Sequence, residues 1–451
     1  MIHLLKIFLL TLLISLFSCE SNSKSDLPNI ILIIGDDHGY PYFGFMGADY
    51  VETPNMDELA SSGTLFKNGY VSDNHCRPSL ATLVTGILPI EYNKKVEQMI
   101  THKGIVDHDQ KKDFRHSAMK YFLTLPKILK EKNYISFQAG KWWEFHYENG
   151  GFDDGMTTGW TKEERKSEGW FRKFMGGYGL ELARTTMEPV YDFIDNNMDN
   201  PLFIWYAPEL PHYPFDAPQK YYDIYKNEDM TESAKRYYAN CTWFDDGVGE
   251  LLNYLKEVGE YENTLFIYVN DNGWEQTPDQ EFWNDPMRSH NGGDKGKISL
   301  FDQSFRTPII FSWDGKIEKD VQLDHLIHSS DIPATVLEYL DMEIPKNFYG
   351  KSYKTAIDGN AFSGREEIIG NITTTRSFED MMGKPTEGYW IRDEDWFLNW
   401  NVTENDIGLY DMKNDQNNDV NLASEKPERV NKMIVKIKEW KDERKGEYKQ
   451  P

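Results

Sequence analysis

The chain contains two short, uninterrupted apolar runs, far apart in the sequence, that each end in oxygen-bearing side chains and a glycine. The run at residues 29–34 leads into Gly35-Asp36-Asp37-His38-Gly39, and the run at residues 264–269 leads into Asn270-Asp271-Asn272-Gly273. Such runs are typical of strands buried on both faces of a sheet, although periodicity alone does not exclude a buried helix segment. The pattern therefore predicts an α/β fold built on a buried sheet.

The polar residues that follow these two runs are candidate metal ligands. In open α/β sheets, functional sites form outside the carboxyl ends of the strands. Ligands that offer only oxygen suit a hard divalent cation such as Ca²⁺ or Mg²⁺. The alternative is that Asp-Gly and Asn-Gly simply mark turns after strands. Because two such groups occur together with the cysteine segment described next, we favour a metal site.

A lone cysteine precedes a proline in the segment at residues 75–86, His-Cys-Arg-Pro-Ser-Leu-Ala-Thr-Leu-Val-Thr-Gly. Proline is favoured in the first turn of a helix, so Cys76 should lie at or just before a helix N-terminus. The backbone N–H groups and the helix dipole there favour negative charge, either a thiolate or a bound oxyanion. The alternative is a buried structural cysteine in front of an ordinary helix.

The pattern Cys-x-Pro-Ser-x-Ala-x-Leu-x-Thr-Gly resembles the signature of the type I sulfatases, in the alkaline-phosphatase-like superfamily. In that family a maturation enzyme oxidises the cysteine to formylglycine, whose hydrated aldehyde is the nucleophile. The resemblance implies this role for Cys76. It also implies one bound calcium ion, with Cys76 and four oxygen-bearing residues as its ligands: Asp36, Asp37, Asp271 and Asn272.

Gly140-Lys141-Trp142-Trp143 resembles the sulfatase Gly-Lys-Trp-His element, whose lysine contacts the sulfate group. The resemblance implies that role for Lys141, although a lysine just beyond a strand is usually a solvated surface residue. The family histidine is replaced here by Trp143. His146 lies nearby in the sequence, and whether it substitutes for that histidine stays open.

Two further segments imply sulfate-contacting residues. The Pro-His-x-Pro segment resembles a sulfatase loop that carries an active-site histidine, which implies this role for His212, although a lone loop histidine is more often structural. A weaker match to the family's Gly-Lys … Arg-x-Pro segment implies Lys297 rather than Lys295, counting back nine positions from Arg306. Either His212 or one of the lysines would protonate the leaving oxygen.

The chain departs from the family motif at Leu80, where sulfatases usually have arginine. Arg77, one residue after the candidate nucleophile, is one candidate replacement. Otherwise the chain belongs to a branch with a variant motif, or it is an unmatured and inactive relative. The last interpretation conflicts with the intact metal and sulfate-contacting residues, because an inactive site has no need of them.

The resemblance covers residues 29 to about 423 and implies a large, mostly parallel or mixed sheet between helices. We expect this catalytic domain at residues 28–345. A small C-terminal α+β subdomain at residues 346–451 should contain an antiparallel sheet, because residues 388–400 alternate in polarity and are rich in aromatic side chains. Helices are predicted at residues 119–132, at residues 233–258 with Cys241 packed inside, and from Pro427.

The first 18 residues have the features of a secretory signal peptide, with a positive charge at Lys6 and an apolar stretch too short to span a bilayer. The segment ending in Leu-Phe-Ser-Cys19 resembles a bacterial lipobox, which implies cleavage before Cys19 and its lipidation. Residues 19–27 would then tether the protein to a membrane, in the periplasm or at the outer membrane. The alternative is an ordinary signal peptide. In both cases the mature protein leaves the cytoplasm, and its cysteines do not form a disulfide framework.

The net charge of −25 argues against a nucleic-acid partner, because phosphate binding needs a basic surface. It does not exclude a sulfated substrate, since a few cations in a cleft can outweigh a distant negative surface. The expected function is calcium-assisted hydrolysis of sulfate esters on a sulfated carbohydrate, either an algal ulvan- or carrageenan-like glycan or, as a second choice, a glycosaminoglycan. The alternatives are a phosphodiesterase or phosphonate hydrolase of the same superfamily, and a non-catalytic lipoprotein that binds sulfated glycans.

Overall fold

The computed structural model describes residues 27–286, 288–372 and 387–444. Among these residues, nine strands form one large sheet. In chain order they are β1 (Asn29–Gly35), β2 (Thr64–Tyr70), β3 (Ile135–Gly140), β4 (Asp154–Gly155), β5 (Leu202–Ala207), β6 (Thr264–Asn270), β7 (Arg306–Ser312), β8 (Val321–Leu323) and β9 (Ile327–His328). Their spatial order is β4-β3-β5-β1-β6-β7-β2-β8, with β9 also paired to β2. Only β7 runs antiparallel to its neighbours, so the predicted large mixed sheet is confirmed.

Helices cover both faces of this sheet. In chain order the described helices are α1 (Pro54–Ser61), α2 (Cys76–Thr85), α3 (Pro89–His102), α4 (His108–His116), α5 (Leu125–Leu129), α6 (Tyr147–Gly150), α7 (Trp170–Met175), α8 (Glu188–Asn197), α9 (Gln219–Tyr225), α10 (Glu232–Glu257), α11 (Arg288–Asn291), α12 (Asp331–Tyr339), α13 (Lys354–Ile357) and α14 (Pro427–Glu443). The predicted long helix is confirmed as α10, and Cys241 is fully buried within it.

Alternate residues of β1 face two separate cores, as expected for a strand covered on both sides. Ile30, Leu32 and Ile34 pack in one core with α2, α3 and α12. Ile31 and Ile33 pack in the other core with α1, α8 and α10. The uninterrupted apolar run in the sequence is therefore explained by burial on both faces of the sheet.

The helix predicted at residues 119–132 is wrong as one continuous element. The structure has a 3₁₀ turn at Ala118–Tyr121, then α5, then a second 3₁₀ turn at Lys130–Lys132. Thr124 precedes α5 in an extended conformation, and its Oγ1 donates to the carbonyl oxygen of Gly150 at 2.5 Å instead of capping the helix. Phe122 and Thr124 are both extended, and Pro126 lies in the first turn of α5, where proline is favoured, so a new helix begins at Leu125 although the period of apolar residues runs on without a break.

The C-terminal part contains an antiparallel sheet of four strands, as predicted. Its strands are β10 (Glu367–Asn371), β11 (Gly388–Asp393), β12 (Trp396–Asn401) and β13 (Asp406–Asp411), in that spatial order. One face packs on α14 through residues such as Ile391 and Ile437. The other face joins the core of the large sheet through Trp390 and Phe397. The predicted division at residues 345 and 346 stays a prediction.

Strand register brings the two polar segments together at one edge of the large sheet. Gly35 pairs with Asn270 across the parallel strands β1 and β6, so the residues that follow each strand begin at the same level. Gly140 pairs with Ala207 at the ends of β3 and β5, which lie on the other side of β1. Four strand ends therefore deliver their following loops to one place.

In the described part of the chain, none of the helices combines the length and apolar character needed to cross a membrane. The predicted signal peptide and the predicted lipidation site at Cys19 lie outside the described residues.

Candidate active site

Four potential ligands from three segments converge at this edge of the sheet. The ligand atoms of Asp36, Asp37, Asp271 and Cys76 all lie within 4.8 Å of one another, and all four residues are buried. Asn272 joins them, because its Nδ2 donates to Asp37 Oδ1 at 2.7 Å and its Oδ1 lies 3.3 Å from Cys76 Sγ. The structure thus brings together all five residues that the resemblance implied as calcium ligands.

Two carboxylate oxygens in this cluster have no hydrogen-bond partner among the described residues. They are Oδ2 of Asp36 and Oδ2 of Asp271, and both are buried. Burial raises the pKa of Asp271 to about 8, and the neighbouring Asp36 adds to this effect. Since unpartnered buried oxygens are costly and like charges repel, the cluster fits a divalent cation that accepts oxygen ligands.

Cys76 is the first residue of α2, as predicted. Its Sγ lies 3.8 Å from Asp36 Oδ1 and receives a contact of 3.2 Å from Lys297 Nζ. Burial raises the pKa of the Cys76 thiol well above its usual value, Asp271 and Asp36 raise it further, and Lys141 and Lys297 act in the opposite direction. The expectation that this helix N-terminus favours negative charge, either a thiolate or a bound oxyanion, stays a prediction.

Lys141 enters the cluster from the turn that ends β3. Gly140 has a φ of 94°, and a Cβ at this position would lie 2.0 Å from the carbonyl oxygen of Ala207, so glycine is required for this close approach. Lys141 Nζ donates to Asp36 Oδ1 at 2.5 Å and lies 3.8 Å from Asp271 Oδ2. Burial opposes the charge of Lys141, but Asp36 and the other anionic groups raise its pKa well above the usual value. The buried lysine is therefore a fixed positive charge.

Lys297 provides a second fixed cation on the other side of Cys76. Its Nζ lies 2.8 Å from Asp37 Oδ2 and 2.7 Å from Asp37 Oδ1. Burial pushes the pKa of Asp37 upward, but the charges of Lys297, His212 and Lys141 outweigh burial and lower it to about 2. Lys295 instead pairs with Asp419 at 2.5 Å on the surface. The structure therefore places Lys297, and not Lys295, in the cluster.

Both sides of this ion pair have unusual backbone conformations. Asp37 has a φ of 61° and Ile298, directly after Lys297, has a φ of 72°. Aspartate tolerates the left-handed region, whereas a β-branched residue there is strained. Such strain persists only where the surrounding structure holds it, which is common at functional sites.

His212 faces the cluster from the loop after β5. Its Nδ1 lies 2.5 Å from the carbonyl oxygen of Tyr213, which assigns the proton to Nδ1 and leaves Nε2 directed at Asp37 Oδ2, 3.6 Å away. Burial lowers the pKa of His212 to about 4, although Asp36 and Asp37 oppose this effect. The imidazole is therefore oriented by its own loop and presents Nε2 to the site.

Sequence reasoning missed two residues that position His212. Glu209 Oε1 lies 4.0 Å from His212 Nδ1, and burial raises the pKa of Glu209 to about 7 although Arg184 and Arg172 lower it. Arg184 donates to the carbonyl oxygens of Glu209 at 2.8 Å and of His212 at 3.2 Å. Glu209 lies two residues after the end of the buried strand β5, and a charged residue at such a position is a signal that could have identified it. No comparable pattern surrounds Arg184, whose role depends on tertiary contacts.

The two departures from the family motif have different structural surroundings. Leu80 is buried in the apolar core behind α2, so no cation stands at that position. Arg77 does not replace one, because its guanidinium binds Glu144 and the carbonyl oxygen of Arg115. Trp143 packs beside Lys141, with the lysine Nζ 5.5 Å from the indole centre.

His146 does not take the place of the missing histidine. Its Nδ1 accepts a hydrogen bond from the backbone N–H of Glu148 at 3.3 Å, which caps the start of α6. Its ring packs against Tyr147.

Comparisons with known proteins agree with this geometry. The family model described as Sulfatase matches residues 28–342, and a second model, N-sulphoglucosamine sulphohydrolase, C-terminal, matches residues 293–444. An arylsulfatase of Clostridium perfringens is 25% identical over 92% of this chain and 95% of its own length.

Solved structures share the fold. One is Ps i-CgsB in complex with k-i-k-neocarrahexaose, with a TM-score of 0.69, 22% identity and 92% coverage of both chains. Another protein, solved with its substrate D-glucosamine-2-N,6-O-disulfate, has a TM-score of 0.71 and 18% identity, covering 93% of this chain and 98% of its own.

Proposed function

The chain belongs to the sulfatase family, whose members hydrolyse sulfate esters, and from this premise we propose that it removes sulfate from a sulfated carbohydrate. We propose that Cys76, matured to formylglycine, is the nucleophile. One calcium ion would be held by Cys76 and four further side chains, namely Asp36, Asp37, Asp271 and Asn272.

The observation that carries this proposal is the pair of buried oxygens, Oδ2 of Asp36 and Oδ2 of Asp271, that receive no hydrogen bond from the described residues and lie in a cluster that also contains a sulfur. Calcium binds oxygen, whereas sulfur is a soft ligand that this ion avoids. Oxidation of Cys76 to formylglycine would replace that sulfur with oxygen and make the ligand set uniform. The chemistry of the side chains thus supports both the metal and the modification.

The cation would offset the negative charge of the sulfate, and formylglycine would supply a hydrated aldehyde oxygen for attack on sulfur. The residues of the chain provide the rest of the environment. Lys141 and Lys297 are buried cations on two sides of Cys76, positioned to neutralise the oxygens of a bound sulfate. Because they are held by carboxylates in a site closed to bulk water, they need no reorganisation during the reaction.

We propose that His212 donates the leaving oxygen its proton from Nε2, acting as the imidazolium: the neutral ring carries its single proton on Nδ1, and a bound sulfate anion would favour the doubly protonated form. Each lysine is already held by a carboxylate within 2.8 Å, whereas His212 Nε2 lies 3.6 Å from Asp37 Oδ2, beyond hydrogen-bond distance. The His212 side chain is also 14% exposed, whereas that of Lys141 is 1% exposed. A positioned imidazole is the usual general acid for such a step.

A sulfated polysaccharide or its oligosaccharides is the proposed substrate class. The fold is shared with Ps i-CgsB, which was solved with k-i-k-neocarrahexaose, and with the protein solved with D-glucosamine-2-N,6-O-disulfate. These likenesses support a sulfated sugar of either kind, an algal ulvan- or carrageenan-like glycan or a glycosaminoglycan. We further propose that the protein is exported and anchored through a lipid on Cys19, on the strength of the lipobox-like segment alone.

Sulfate release from a panel of esters tests the proposed function. Protein produced together with a formylglycine-generating enzyme should release sulfate from sulfated oligosaccharides and hydrolyse the matching phosphate esters and phosphonates far more slowly. Cys76→Ala should reduce sulfate release about a thousandfold or more. Cys241→Ala alters the other buried free cysteine and should leave activity intact. Faster turnover of phosphate or phosphonate esters would instead identify a hydrolase of that kind. Tight oligosaccharide binding by matured protein without sulfate release would identify a binding protein.

A further inference from the structure

A group of aromatic side chains leads from Lys141 in the candidate active site to the protein surface. We call Trp143, Phe171 and Phe174 the mouth patch. The ring centre of Trp143 lies 6.1 Å from that of Phe171 and 5.0 Å from that of Phe174, both in edge contact. Phe171 is 57% exposed, which is unusual for such a large apolar side chain. Phe174 continues the patch inward by stacking on Trp170, with 5.3 Å between the ring centres.

The mouth patch begins directly beside the charged cluster. Lys141 Nζ, which lies 2.5 Å from Asp36 Oδ1, is 5.5 Å from the ring centre of Trp143. Helix α7, which carries Phe171, is held against this turn because the backbone N–H of Trp142 donates to the carbonyl oxygen of Met175 at 2.9 Å. A group bound at Lys141 would therefore have the aromatic patch as its next neighbour.

The same short helix, α7, also carries an exposed arginine, Arg172. Arg172 is 46% exposed, and its Nη1 donates to Glu209 Oε2 at 3.2 Å. Glu209 Oε1 in turn lies 4.0 Å from His212 Nδ1, so Glu209 links Arg172 to the imidazole. Arg172 Nη2 lies 3.7 Å from Glu181 Oε1, so two carboxylates of the protein share this guanidinium. A guanidinium carries five N–H donors, and the donors that remain are what Arg172 can offer to an anionic ligand.

We propose that α7 forms the sugar-binding wall of the site. A pyranose ring would stack on Phe171 and Trp143, and a second anionic group of the saccharide, either another sulfate or a carboxylate, would pair with Arg172. This inference rests on the proposed function, because it takes the sulfate ester under attack to be seated at Lys141. It adds that the substrate is a saccharide with more than one anionic group, and it names the residues that select it.

Steady-state kinetics on substrates of two sizes test the sugar-binding wall. Phe171→Ala should raise KM for a sulfated oligosaccharide about tenfold with little change in kcat, because an exposed stacking surface is lost. The same variant should change the KM for nitrophenyl sulfate much less, because its single ring would lie against Trp143, the member of the patch next to Lys141, and not against Phe171. Tyr121→Ala is the matched control, since Tyr121 is an exposed aromatic residue that packs on Phe114 instead. Equal effects on both substrates, or no effect on either, would overturn the proposal.

Arg172→Gln distinguishes the two kinds of anionic group. This variant should raise KM about tenfold more for saccharides with a second anion than for singly sulfated saccharides, because any effect passed through Glu209 to His212 falls on both kinds alike. If this additional rise in KM occurs only for saccharides with two sulfates, the partner of Arg172 is a sulfate. If it occurs only for saccharides that contain a uronate, the partner is its carboxylate. An equal effect on singly and multiply charged saccharides overturns this part of the proposal.

Failure of the sugar-binding wall and failure of the proposed function give different results. If the wild-type protein releases no sulfate, the proposed function fails. Calorimetric titration with a sulfated oligosaccharide then tests whether the sugar-binding wall contributes to binding. In a Cys76→Ala background, Phe171→Ala should weaken oligosaccharide binding about tenfold. Unchanged affinity in that titration would overturn the wall whatever the activity of the protein.

Discussion

Asp36 and Asp271 follow two neighbouring parallel strands at the same level of the sheet, because Gly35 pairs with Asn270 across β1 and β6. Each aspartate leaves its Oδ2 buried without a hydrogen-bond partner among the described residues. Two neighbouring buried carboxylates repel each other, and Lys141 Nζ, 2.5 Å from Asp36 Oδ1 and 3.8 Å from Asp271 Oδ2, offsets this only in part because it donates a hydrogen bond to neither Oδ2. This relationship links the strand register directly to the proposed metal site.

Calcium should therefore stabilise the folded protein. At a free calcium concentration of a hundred times Kd, the expected gain is about 2.7 kcal/mol, seen as a higher melting temperature that a chelator reverses. Asp271→Asn should lose most of this gain, because the amide supplies no negative charge. Calorimetry with and without calcium measures both effects.

The matched control for this prediction is Asp245→Asn. Asp245 is a buried carboxylate outside the site, and it accepts hydrogen bonds from the backbone N–H groups of Asn55 and Met56 at the start of α1. Its replacement should lower the melting temperature but preserve the calcium-dependent rise. A full calcium response in Asp271→Asn would contradict the proposed ligand set.

Replacing Lys297 should damage catalysis more than binding of the whole substrate. Lys297→Gln removes a buried cation that lies 3.2 Å from Cys76 Sγ, so kcat/KM for a sulfate ester should fall about a hundredfold to a thousandfold. Lys295→Gln changes the neighbouring surface lysine, which pairs with Asp419, and should leave kcat/KM within about twofold. Similar losses in both variants would show that Lys297 has no special role.

The effect of His212 should depend on the leaving group. Protonation of the leaving oxygen matters most when that oxygen is strongly basic, as in a sugar alcohol. His212→Ala should therefore lower kcat about a hundredfold or more on a saccharide sulfate and much less on nitrophenyl sulfate. His146→Ala, which alters a histidine at the start of α6, is the control. Equal losses on both esters would assign His212 a binding role and leave the proton donor to another group.

Acid should destabilise the fold through His116. This histidine is buried against Phe174, its ring nitrogens have no hydrogen-bond partner in the part of the chain that the structure describes, and burial together with Arg77 lowers its pKa to about 2. Because the unfolded chain binds the proton near pH 6.5 and the folded chain does not, stability contributed by neutral His116 is present above pH 6.5 and is lost as the pH falls below it. Between pH 7 and 5 the loss is about 2 kcal/mol.

Urea unfolding at several pH values measures this contribution. His116→Phe should show a smaller loss of stability between pH 7 and 5 than the wild type. His108→Phe changes a histidine at the other end of α4 that is 89% exposed, and it should follow the wild-type pH dependence. Identical pH dependence in His116→Phe would mean that His116 is protonated in the folded protein.

The sequence predicted the sheet and the convergence of the acidic residues because strand burial and strand-end chemistry are local patterns. The apolar run before Asp36 is uninterrupted since β1 faces a core on each side. Pro78 likewise predicted the helix that begins at Cys76, because proline is favoured in the first turn of a helix. What local patterns do not contain is the balance of charges around a buried group. Burial and Asp271, which is remote in the chain, raise the pKa of the Cys76 thiol.

Contacts between distant segments account for the other features that the sequence did not predict. Arg184 positions His212 from a loop with no motif, and Arg77 turns away to Glu144 although it follows Cys76 directly. The predicted helix at residues 119–132 is interrupted at Thr124, which is extended and donates a hydrogen bond to the carbonyl oxygen of Gly150. Each of these outcomes depends on a partner that is remote in the chain.

The mass of one tryptic peptide tests the central claim most directly. Residues 68–94 form a single peptide containing Cys76, because the Arg77–Pro78 bond resists trypsin. In protein from its native host, the account predicts an aldehyde at Cys76, lighter than the thiol form by the difference between –CH₂SH and –CHO. A peptide that carries only the unmodified thiol would contradict the formylglycine mechanism.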